Sequence, residues 1–516
     1  MVSDISSKEV LDNLSALPQG WVRTNIGEIT SVDSGIGFPE IYQGKKDGDF
    51  PFYKVMDISK TVKKGGIYLT KSDNYISLKD FEALKAKLIK KDSLVFAKIG
   101  AAIALNRRAI LSSDALVDNN IMAVNSDSKN LDGKYLYYFF LTKKLGELSR
   151  ATTVPSIRKS DVENISMPLP PFKEQHRIVT KIEELLTQLD AGVASLKKVQ
   201  AQLKRYRQAV LKAAFDGRLT QEWREEHKGE IEPADALVDR INKARKKIAF
   251  GKNDETPVDI TDLPPLPDNW RWIRLDNITH IKGGITKNSK RIVENGRLVP
   301  YLRVANVQNG YLDLNEMKSI EANEAEIRDL SLKFGDILFT EGGDRDKLGR
   351  GWIWQDEIPE CIYQNHIFRA RFYLNEISPK YVSWFGNTHS ERYFMKKGKQ
   401  TTNLASISLT QLRAFPVALP PVEEQQTIVS EIERYFSQID HLENTITTSL
   451  RQAESLRQSI LKRAFEGKLV PQNPDDEPAS ILLERIKAAK TRHTAETKKG
   501  KTLQPKSPKR KVTNGN

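Results

Sequence analysis

The sequence predicts an α+β protein: two similar mixed α/β domains separated by two long helices that form an antiparallel coiled coil, with a pseudo-two-fold internal repeat. Two observations predict this fold. One unit of about 250 residues is written twice, and each copy passes from mixed, strand-rich sequence into a long run of apolar residues spaced three and four apart. A period this long exceeds that of any solenoid, so a whole domain and its connector are duplicated.

The repeat is visible as matched short segments. The later member of each pair lies 249 or 250 residues after the earlier one. The matched pairs are 17–21 (LPQGW) with 266–270 (LPDNW), 51–55 (PFYKV) with 300–304 (PYLRV), 169–175 (LPPFKEQ) with 419–425 (LPPVEEQ), and 214–219 (AFDGRL) with 464–469 (AFEGKL).

These segments predict the domain organisation. The predicted divisions are a first mixed domain at 1–170, a helical spacer and linker at 171–265, a second mixed domain at 266–420, a C-terminal helical spacer at 421–490 and a basic disordered tail at 491–516. From Lys487 to Asn516 ten Lys or Arg face one Glu, so this end carries most of the net charge of +14. Charge therefore supports a nucleic-acid partner only weakly, and a solubilising tail explains it equally well.

Within each mixed domain a buried strand leads into a charged, glycine-containing loop. The predicted strands are 92–99 and 336–340, and the loops after them are 100–108 and 341–351. Aromatic runs at 135–140 and 381–385 predict helices packed on the sheet, with their rings in the core rather than stacked on bases.

The spacers show one apolar seam on each helix, which is typical of helices paired along their length. Each helix follows a Pro-Pro pair and ends near a glycine, Gly217 or Gly467, that can close it in the left-handed conformation. The seam residues are Ile178, Ile182, Leu185, Leu189, Leu196, Val199, Leu203, Tyr206 and Val210 in the first helix, and Ile428, Ile432, Tyr435, Ile439, Leu442, Ile446, Ala453, Leu456 and Ile460 in the second.

Pairing these two helices with each other buries both seams within one chain. A helix of roughly 40 residues is about 60 Å long. If a two-fold axis relates the copies, the helices run antiparallel and the domains lie at opposite ends of a rod. Two contact sites on DNA one to two helical turns apart would suit such a rod.

Several function classes find no support in the sequence. No segment resembles a signal peptide or a membrane span, and a lone Cys361 fits a reducing cytoplasm. The seven histidines lack metal-ligand spacing, so no metal site is predicted. Leu169 and Leu419 stand before Pro-Pro where an amino methyltransferase needs Asn or Asp. Asp132-Gly133-Lys134 resembles a fragment of a nuclease motif but lacks an identifiable partner carboxylate.

The doubled LPPxxEQ helix start and AFxGxL helix end resemble the specificity (S) subunit of type I restriction-modification systems, over nearly the whole chain. The resemblance implies two target recognition domains that read the two parts of a split DNA sequence, with the coiled coil setting the gap between them. It implies a non-catalytic chain without a cofactor of its own. It also implies two modification subunits that use S-adenosylmethionine and restriction subunits that use ATP and Mg. A structural adaptor without DNA binding is the alternative.

Candidate DNA-contacting residues lie mainly in and around the loops. Arg and carboxylate side chains in loops suit base edges, whereas the other basic residues suit phosphates. The candidates are Lys98, Arg107, Arg108, Arg158, Lys159, Asp344, Arg345, Asp346, Lys347, Arg350, Lys397, Lys399 and Thr401. The resemblance assigns the helix starts and ends to folding and partner docking, through Glu174, Gln175, Phe215, Glu424, Gln425 and Phe465.

Overall fold

The computed structural model describes residues 17–126, 129–149, 154–248, 256–287, 293–343, 348–397, 399–400 and 405–502, and the side chains of 248, 343, 396, 397, 399, 400, 405 and 493–502 lie outside the description. No helix in these ranges is both long and apolar enough to cross a membrane.

The first repeat runs from a short strand through a mixed domain into a long helix and two connector helices. Its strands are β1 (Val22–Asn25), β2 (Thr30–Ser34), β3 (Phe50–Tyr53), β4 (Tyr68–Leu69), β5 (Tyr75–Ile76), β6 (Leu94–Ala97), β7 (Arg108–Leu111), β8 (Leu116–Val117), β9 (Ile121–Ser126) and β10 (Ser166–Leu169). Its helices are α1 (Ile26–Ile29), α2 (Val55–Lys63), α3 (Leu78–Leu84), α4 (Gly133–Leu141), α5 (Lys159–Glu163), α6 (Phe172–Phe215), α7 (Gln221–Glu226) and α8 (Ala234–Ile248).

The second repeat follows the same order. Its strands are β11 (Arg271–Arg274), β12 (Thr279–Gly283), β13 (Arg297–Leu302), β14 (Lys318–Ala322), β15 (Ile337–Thr340), β16 (Gly342–Gly343), β17 (Gly351–Ile353), β18 (Ile362–Tyr363), β19 (Ile367–Phe372), β20 (Lys399–Gln400), β21 (Ala405–Ser406) and β22 (Pro416–Leu419). Its helices are α9 (Leu275–Ile278), α10 (Glu324–Leu330), α11 (Pro379–Lys397), α12 (Leu409–Arg413), α13 (Val422–Phe465) and α14 (Ala479–Thr502).

The predicted strands, aromatic helices and long helices are confirmed by these bounds. The buried runs became β6 and β15, and the aromatic runs lie in α4 and α11. Both long helices begin directly after their Pro-Pro pair and are 44 residues long. Asp132 caps the aromatic helix α4 by accepting hydrogen bonds from the backbone amides of Lys134 and Tyr135, at 2.7 and 3.1 Å.

The two repeats use matching sheets. The central sheets have the strand orders β2-β9-β6-β7-β4 and β12-β19-β15-β17, and the smaller sheets have the orders β5-β3-β8 and β14-β13-β18. The first strand of each repeat pairs antiparallel with the strand before the long helix, β1 with β10 and β11 with β22. The Pro-Pro pair after that last strand therefore leads into the long helix from a fixed position beside the start of its own repeat.

Contacts divide the chain into two compact units that do not follow the predicted linear division. Unit 1 holds residues 1–196 and 448–516, and unit 2 holds 197–447. In unit 1 the start of α6, the end of α13 and α14 share one core with the first mixed domain. In unit 2 the end of α6, α8 and the start of α13 share one core with the second. Each long helix thus begins on its own repeat's domain and ends on the other repeat's domain, because each end buries its apolar residues there.

The halves of the long helices pair antiparallel within each unit, as predicted. In unit 1 the pairing includes an ion pair of Asp190 with Arg457. In unit 2, Arg207 Nη2 lies 2.5 Å from Asp440 Oδ1 and 3.5 Å from Glu443 Oε2. Lower numbers on one helix therefore face higher numbers on the other.

Burial of the predicted seam is uneven beyond the helix starts. Ile178, Ile182, Ile428 and Ile432, near the helix starts, are fully buried, whereas Val199, Tyr206, Leu442 and Leu456 remain 41% to 52% exposed. Leu203, Ile439 and Ile446 are buried even though they lie outside the domain cores. Helix pairing therefore buries part of each seam, and the prediction that it buries both seams holds for only some of their residues.

The C-terminal region also differs from its prediction. Helix α14 continues to Thr502, so residues 491–502 of the predicted disordered tail are helical, and 503–516 lie outside the described residues. Ala479 donates its amide to the Gly20 carbonyl at 2.9 Å, and Leu482 and Ile486 are buried. The helix extends from this anchored turn because Ala, Lys and Glu are strong helix formers.

Candidate functional site

The connection between β6 and β7 carries the first predicted DNA contacts. Lys98 follows β6 directly and donates its Nζ hydrogen bond to Ser34 Oγ at 2.9 Å. Partial burial lowers the pKa of Lys98, because a less hydrated ammonium is less stable. Arg107 lies at the other end of the connection and is half-buried. Both side chains keep surface through which an external group can be contacted.

Arg108 does not keep such a surface. It is 1% exposed within β7, and its Nη2 donates to Asn106 Oδ1 at 2.6 Å and to the Lys143 carbonyl at 3.1 Å. Burial lowers the pKa of Arg108 to about 10. Arg108, predicted to contact DNA, is instead enclosed within the fold, because all four residues of β7 are buried and both faces of the strand are covered.

Arg158 and Lys159 lie beside the Lys98 segment. The Ile157 amide donates to the Lys98 carbonyl at 2.9 Å, and Arg158 follows directly at the start of α5. Both basic side chains are exposed, and Lys159 Nζ is 3.6 Å from Glu163 Oε1. An exposed pair at this distance contributes little, so Lys159 remains available to a phosphate.

In unit 2 the described residues cover only part of the predicted site. Arg350 is half-buried, and the Thr340 amide donates to its carbonyl at 3.0 Å beside β15. Lys397 ends α11 and Lys399 begins β20, but their side chains lie outside the description. Asp344, Arg345, Asp346, Lys347 and Thr401 lie outside the described residues.

The start of α6 in unit 1 is held by two buried polar side chains. Glu174, 1% exposed, accepts hydrogen bonds from Trp21 Nε1 at 3.0 Å and from Gln472 Nε2 at 3.2 Å. Gln175 Oε1 accepts from the Asp132 amide at 2.9 Å. Burial raises the pKa of Glu174, because desolvation disfavours its carboxylate. Phe465, at the end of α13, packs against Tyr135 with ring centroids 5.2 Å apart.

The start of α13 in unit 2 repeats this arrangement with one change. Glu424, fully buried, accepts hydrogen bonds from Trp270 Nε1 at 2.8 Å and from Thr220 Oγ1 at 2.7 Å, and it also pairs with the Arg224 guanidinium. Gln425 Oε1 accepts from the Ser378 amide at 3.0 Å. Glu424 therefore has a hydrogen-bonded ionic partner, whereas the described hydrogen bonds to the Glu174 side chain come from neutral donors.

The end of α6 completes this arrangement in unit 2. Phe215 packs against Tyr381 with ring centroids 5.6 Å apart. The glutamate and glutamine side chains of the two helix starts, together with Phe215, are buried in contacts within their own units. Their burial leaves them no exposed surface with which to dock a partner.

A family model for the type I restriction modification DNA specificity domain matches residues 18–205 and again residues 267–452. The chain belongs to this family. The two matched segments are the two copies of the repeat, each running from the LPxxW segment through a mixed domain into a long helix, so the resemblance in the sequence is confirmed.

Similar specificity subunits match almost from end to end. The chain is 26% identical over 500 residues to the type I restriction enzyme EcoKI specificity subunit of Escherichia coli (strain K12), covering 92% of this chain and 96% of that protein. It is 24% identical over 511 residues to the EcoBI specificity subunit of Escherichia coli, covering 94% and 96%.

Solved structures show the same fold. The HsdS subunit from Thermoanaerobacter tengcongensis aligns with a TM-score of 0.54 at 18% identity, covering 88% of this chain and 99% of that one. A chain from a study of complex assembly and conformational transition of the type I R-M system aligns with a TM-score of 0.59 at 17% identity, with the same coverages.

This specificity-domain chain also carries polar residues that sequence reasoning missed. Asn120 lies at the start of β9 beside Lys98, and Glu341 and His366 lie at the ends of β15 and β19. Asn120 and His366 stand outside the charged runs, and Glu341 opens the loop 341–351 ahead of the candidates within it, so charge clustering did not single out any of the three. Aligning the two repeats by strand, rather than by motif, is the signal that finds them.

The nuclease-like segment has a structural role in this specificity-domain chain. Besides capping α4, Asp132 Oδ2 lies 2.7 Å from His176 Nδ1, and Lys134 Nζ lies 2.7 Å from Glu183 Oε1. Among the described residues no group of three or more His, Cys, Asp or Glu side chains is arranged to hold a metal ion.

Proposed function

We propose that this chain is the DNA-recognition subunit of a type I restriction-modification complex. It binds double-stranded DNA, reads a bipartite target with a fixed gap, and directs adenine-methyltransferase and restriction subunits to that target. The chain itself catalyses no reaction and binds no cofactor. Two modification subunits bind S-adenosylmethionine, and restriction subunits use ATP and Mg.

The observation that carries the proposal is the doubling of one specificity domain within one chain. The family model matches both copies, and the relatives that align over nearly their full length are named as specificity subunits. Both copies share a four-strand order, β2-β9-β6-β7 and β12-β19-β15-β17, and in both a tryptophan indole donates to the helix-start glutamate. A chain with two alike but non-identical domains suits a target made of two different parts.

Joining the two domains in one chain explains how they bind DNA more tightly together than either does alone. Each domain contacts only a few base pairs and binds weakly by itself. Once one domain is bound, the second contact is intramolecular, and its effective concentration is high only when the spacing of the two parts fits. Exposed basic residues such as Arg158 and Lys159 would fix position on phosphates, whereas base edges would supply the sequence preference.

A direct binding experiment separates this function from a structural adaptor. Gel-shift titrations would use the full chain with its modification subunits, on target and on scrambled duplexes. We expect tight binding to the target that weakens as salt rises, because phosphate contacts release counterions. An adaptor shows no shift of either duplex at any salt concentration.

The sequence that is methylated in cells tests the whole proposal. Methylated adenines are mapped in cells that carry this chain with its modification subunits and in matched cells that lack only this chain. We expect a bipartite methylated sequence in the first cells and none in the second. Methylation that is independent of this chain would contradict the proposal.

A further inference from the structure

The central sheets of the two units match residue by residue through their hydrogen-bond registers. In the first central sheet, β9 begins between the ends of its neighbours β2 and β6. In the second, β19 begins between the ends of β12 and β15. The register pairs are Ser34 with Met122 and Ala97 with Ile121 in unit 1, and Gly283 with Phe368 and Thr340 with Ile367 in unit 2. One step beyond these pairs, Lys98 therefore corresponds to Glu341, and Asn120 corresponds to His366.

Backbone hydrogen bonds confirm this correspondence. The Lys98 amide donates to the Asn120 carbonyl at 2.9 Å, and the Glu341 amide donates to the His366 carbonyl at 2.9 Å. The Ile157 amide donates to the Lys98 carbonyl at 2.9 Å, and the Ile407 amide donates to the Glu341 carbonyl at 2.8 Å. The two positions thus have the same main-chain environment in both units.

Their side chains have opposite chemistry on this shared framework. In unit 1 the Lys98 ammonium donates to Ser34 Oγ at 2.9 Å, and Asn120 Nδ2 donates to Asp118 Oδ1 at 3.0 Å. In unit 2 the Glu341 carboxylate lies 2.5 Å from His366 Nδ1. The strand ends of unit 1 therefore present an ammonium with two further N–H donors, and those of unit 2 present a carboxylate acceptor.

These side chains are also accessible. Lys98, Asn120 and Glu341 are half-buried, and His366 is exposed. A residue that only fills the core would be buried, whereas these four side chains keep exposed surface. The predicted charged loops, 100–108 and 341–351, begin at these same strand ends. The four side chains therefore lie next to loops that carry predicted DNA contacts.

We propose that these four residues at the strand ends, which we call the strand-end edge, determine the sequence preference of each unit. Lys98 with Asn120 recognises a hydrogen-bond acceptor on a base edge in one part of the target. Glu341 with His366 recognises an amine on a base edge in the other part. The inference rests on the proposed function. A Lys donor matches guanine O6 and N7, and a Glu acceptor matches the cytosine amine. Phosphate repels a carboxylate, so Glu341 at a DNA-facing edge suits a base donor rather than the backbone.

Partial burial strengthens the assignment for Lys98. The same burial that lowers its pKa means that water competes less for its donors. A wrong base would leave these donors without an acceptor, which is how a hydrogen-bonding site rejects a mismatch.

The test measures the methylated sequence produced by single-site variants of the full chain with its modification subunits. The variants are Lys98→Met for unit 1 and Glu341→Gln for unit 2. Matched controls are Lys91→Met, an exposed lysine beyond the opposite end of β6, and Glu321→Gln, an exposed glutamate on β14.

We expect each edge variant to relax or change the preferred base at one position of one part of the target, with discrimination there falling roughly ten- to a hundred-fold. The other part should keep its sequence, and both controls should keep the whole target. Unchanged preference in both edge variants overturns the inference. So does a uniform loss of binding without a change of preference, which would mark Lys98 as a phosphate contact.

A second variant and the wild-type chain distinguish a folding failure, or a failure of the proposed function, from a failure of the inference. If Lys98→Met does not fold, as judged by circular dichroism, Asn120→Asp replaces a donor with an acceptor at the same edge, and unchanged preference in that variant counts against the inference. Failure of the proposed function has a different signature, because the wild-type chain would then direct no bipartite methylation at all.

Discussion

Glu174 and Glu424 occupy the same place in the two repeats, and each accepts a hydrogen bond from a tryptophan indole. Glu424 also pairs with Arg224, whose side chain is only 14% exposed, whereas Glu174 accepts its second bond from the neutral amide of Gln472. Removing one member of a buried ion pair leaves the other charge buried without a partner. This lowers the unfolding free energy more than weakening a neutral hydrogen bond does. The two sites therefore allow the stability contribution of an ion pair and that of a neutral hydrogen bond to be compared within one protein.

Glu424→Gln should destabilise unit 2 by about 3 kcal/mol, because Arg224 loses its buried carboxylate. Glu174→Gln should destabilise unit 1 by only about 1 kcal/mol, because Gln keeps an acceptor for Trp21. Amide hydrogen exchange reports the opening free energy of each unit separately. The exposed neighbour variant Glu423→Gln serves as the control and should change neither value. Equal losses in the two units would argue against an ion pair in unit 2.

The raised pKa of Glu174 predicts a pH dependence in unit 1. The folded state binds the Glu174 proton more tightly than the unfolded state, where the pKa is near its ordinary value of 4.5. The stabilisation of the folded state by protonated Glu174 is therefore fully present below pH 4.5. It is lost as the pH rises through the folded pKa of Glu174. Gln at this position stays neutral.

The stability deficit of Glu174→Gln relative to the wild type should therefore shrink as the pH rises from 4.5, the ordinary pKa of Glu, through the raised folded pKa of Glu174. Amide exchange or thermal unfolding of both proteins across this range provides the measurement. A deficit that grows with pH would mean that the folded state favours the carboxylate instead.

At the scale of elements, the two long helices end in the same manner. Gly217 and Gly467 have φ of +73° and +69°. The Arg218 amide donates to the Ala213 carbonyl at 2.9 Å, and the Lys468 amide donates to the Arg463 carbonyl at 2.8 Å. This is the Schellman closure, in which glycine takes the left-handed conformation. A Cβ on Gly467 would meet Pro18 Cγ at 2.2 Å, so these turns also need glycine for close packing.

Gly217→Ala and Gly467→Ala should each lower the unfolding free energy by at least about 1 kcal/mol, through backbone strain and the clash with proline. Gly192→Ala is the matched control. Gly192 lies inside α6 with open space around it, so alanine there should stabilise the helix by about 0.5 to 1 kcal/mol. Thermal unfolding of the three variants provides the measurement, and destabilisation by all three would contradict this account.

At the scale of the whole molecule, each unit is assembled from separate parts of the chain. Unit 1 contains the described N-terminal residues and α14, joined where the Ala479 amide donates to the Gly20 carbonyl. Unit 2 makes the equivalent contact from the Ala234 amide to the Asn269 carbonyl, at 3.3 Å. The long helices are the chain segments shared by both units, which makes them the natural determinant of the gap in the proposed target.

Deleting one heptad from each long helix tests this role. Seven residues correspond to about 10 Å of helix. With base pairs about 3.4 Å apart, the preferred gap should shorten by about three base pairs, or recognition should be lost. Mapping methylated sites in cells gives the gap directly. Deletion of seven residues from the exposed linker around 256–262 is the control and should leave the gap unchanged. An unchanged gap after the helix deletions would rule out the helices as the spacer.

The sequence by itself determined the duplication, the two long helices and their ends, because these depend on local patterns. Pro-Pro starts, glycine ends and the three-four spacing of residues such as Ile178 and Ile182 are readable without tertiary contacts. The buried strands β6 and β15 were predicted for the same reason.

Tertiary structure alone decided which domain each helix end joins, which seam residues are covered and which charged side chains are buried. The burial of Arg108 could not be predicted from the sequence, because it depends on the distant residues that cover both faces of β7. The sequence places Lys98 and Glu341 at the ends of matched strands, but their exact register was established only by the strand pairing and backbone hydrogen bonds. Local patterns fix the elements, but burial and side-chain direction depend on which distant residues pack against them.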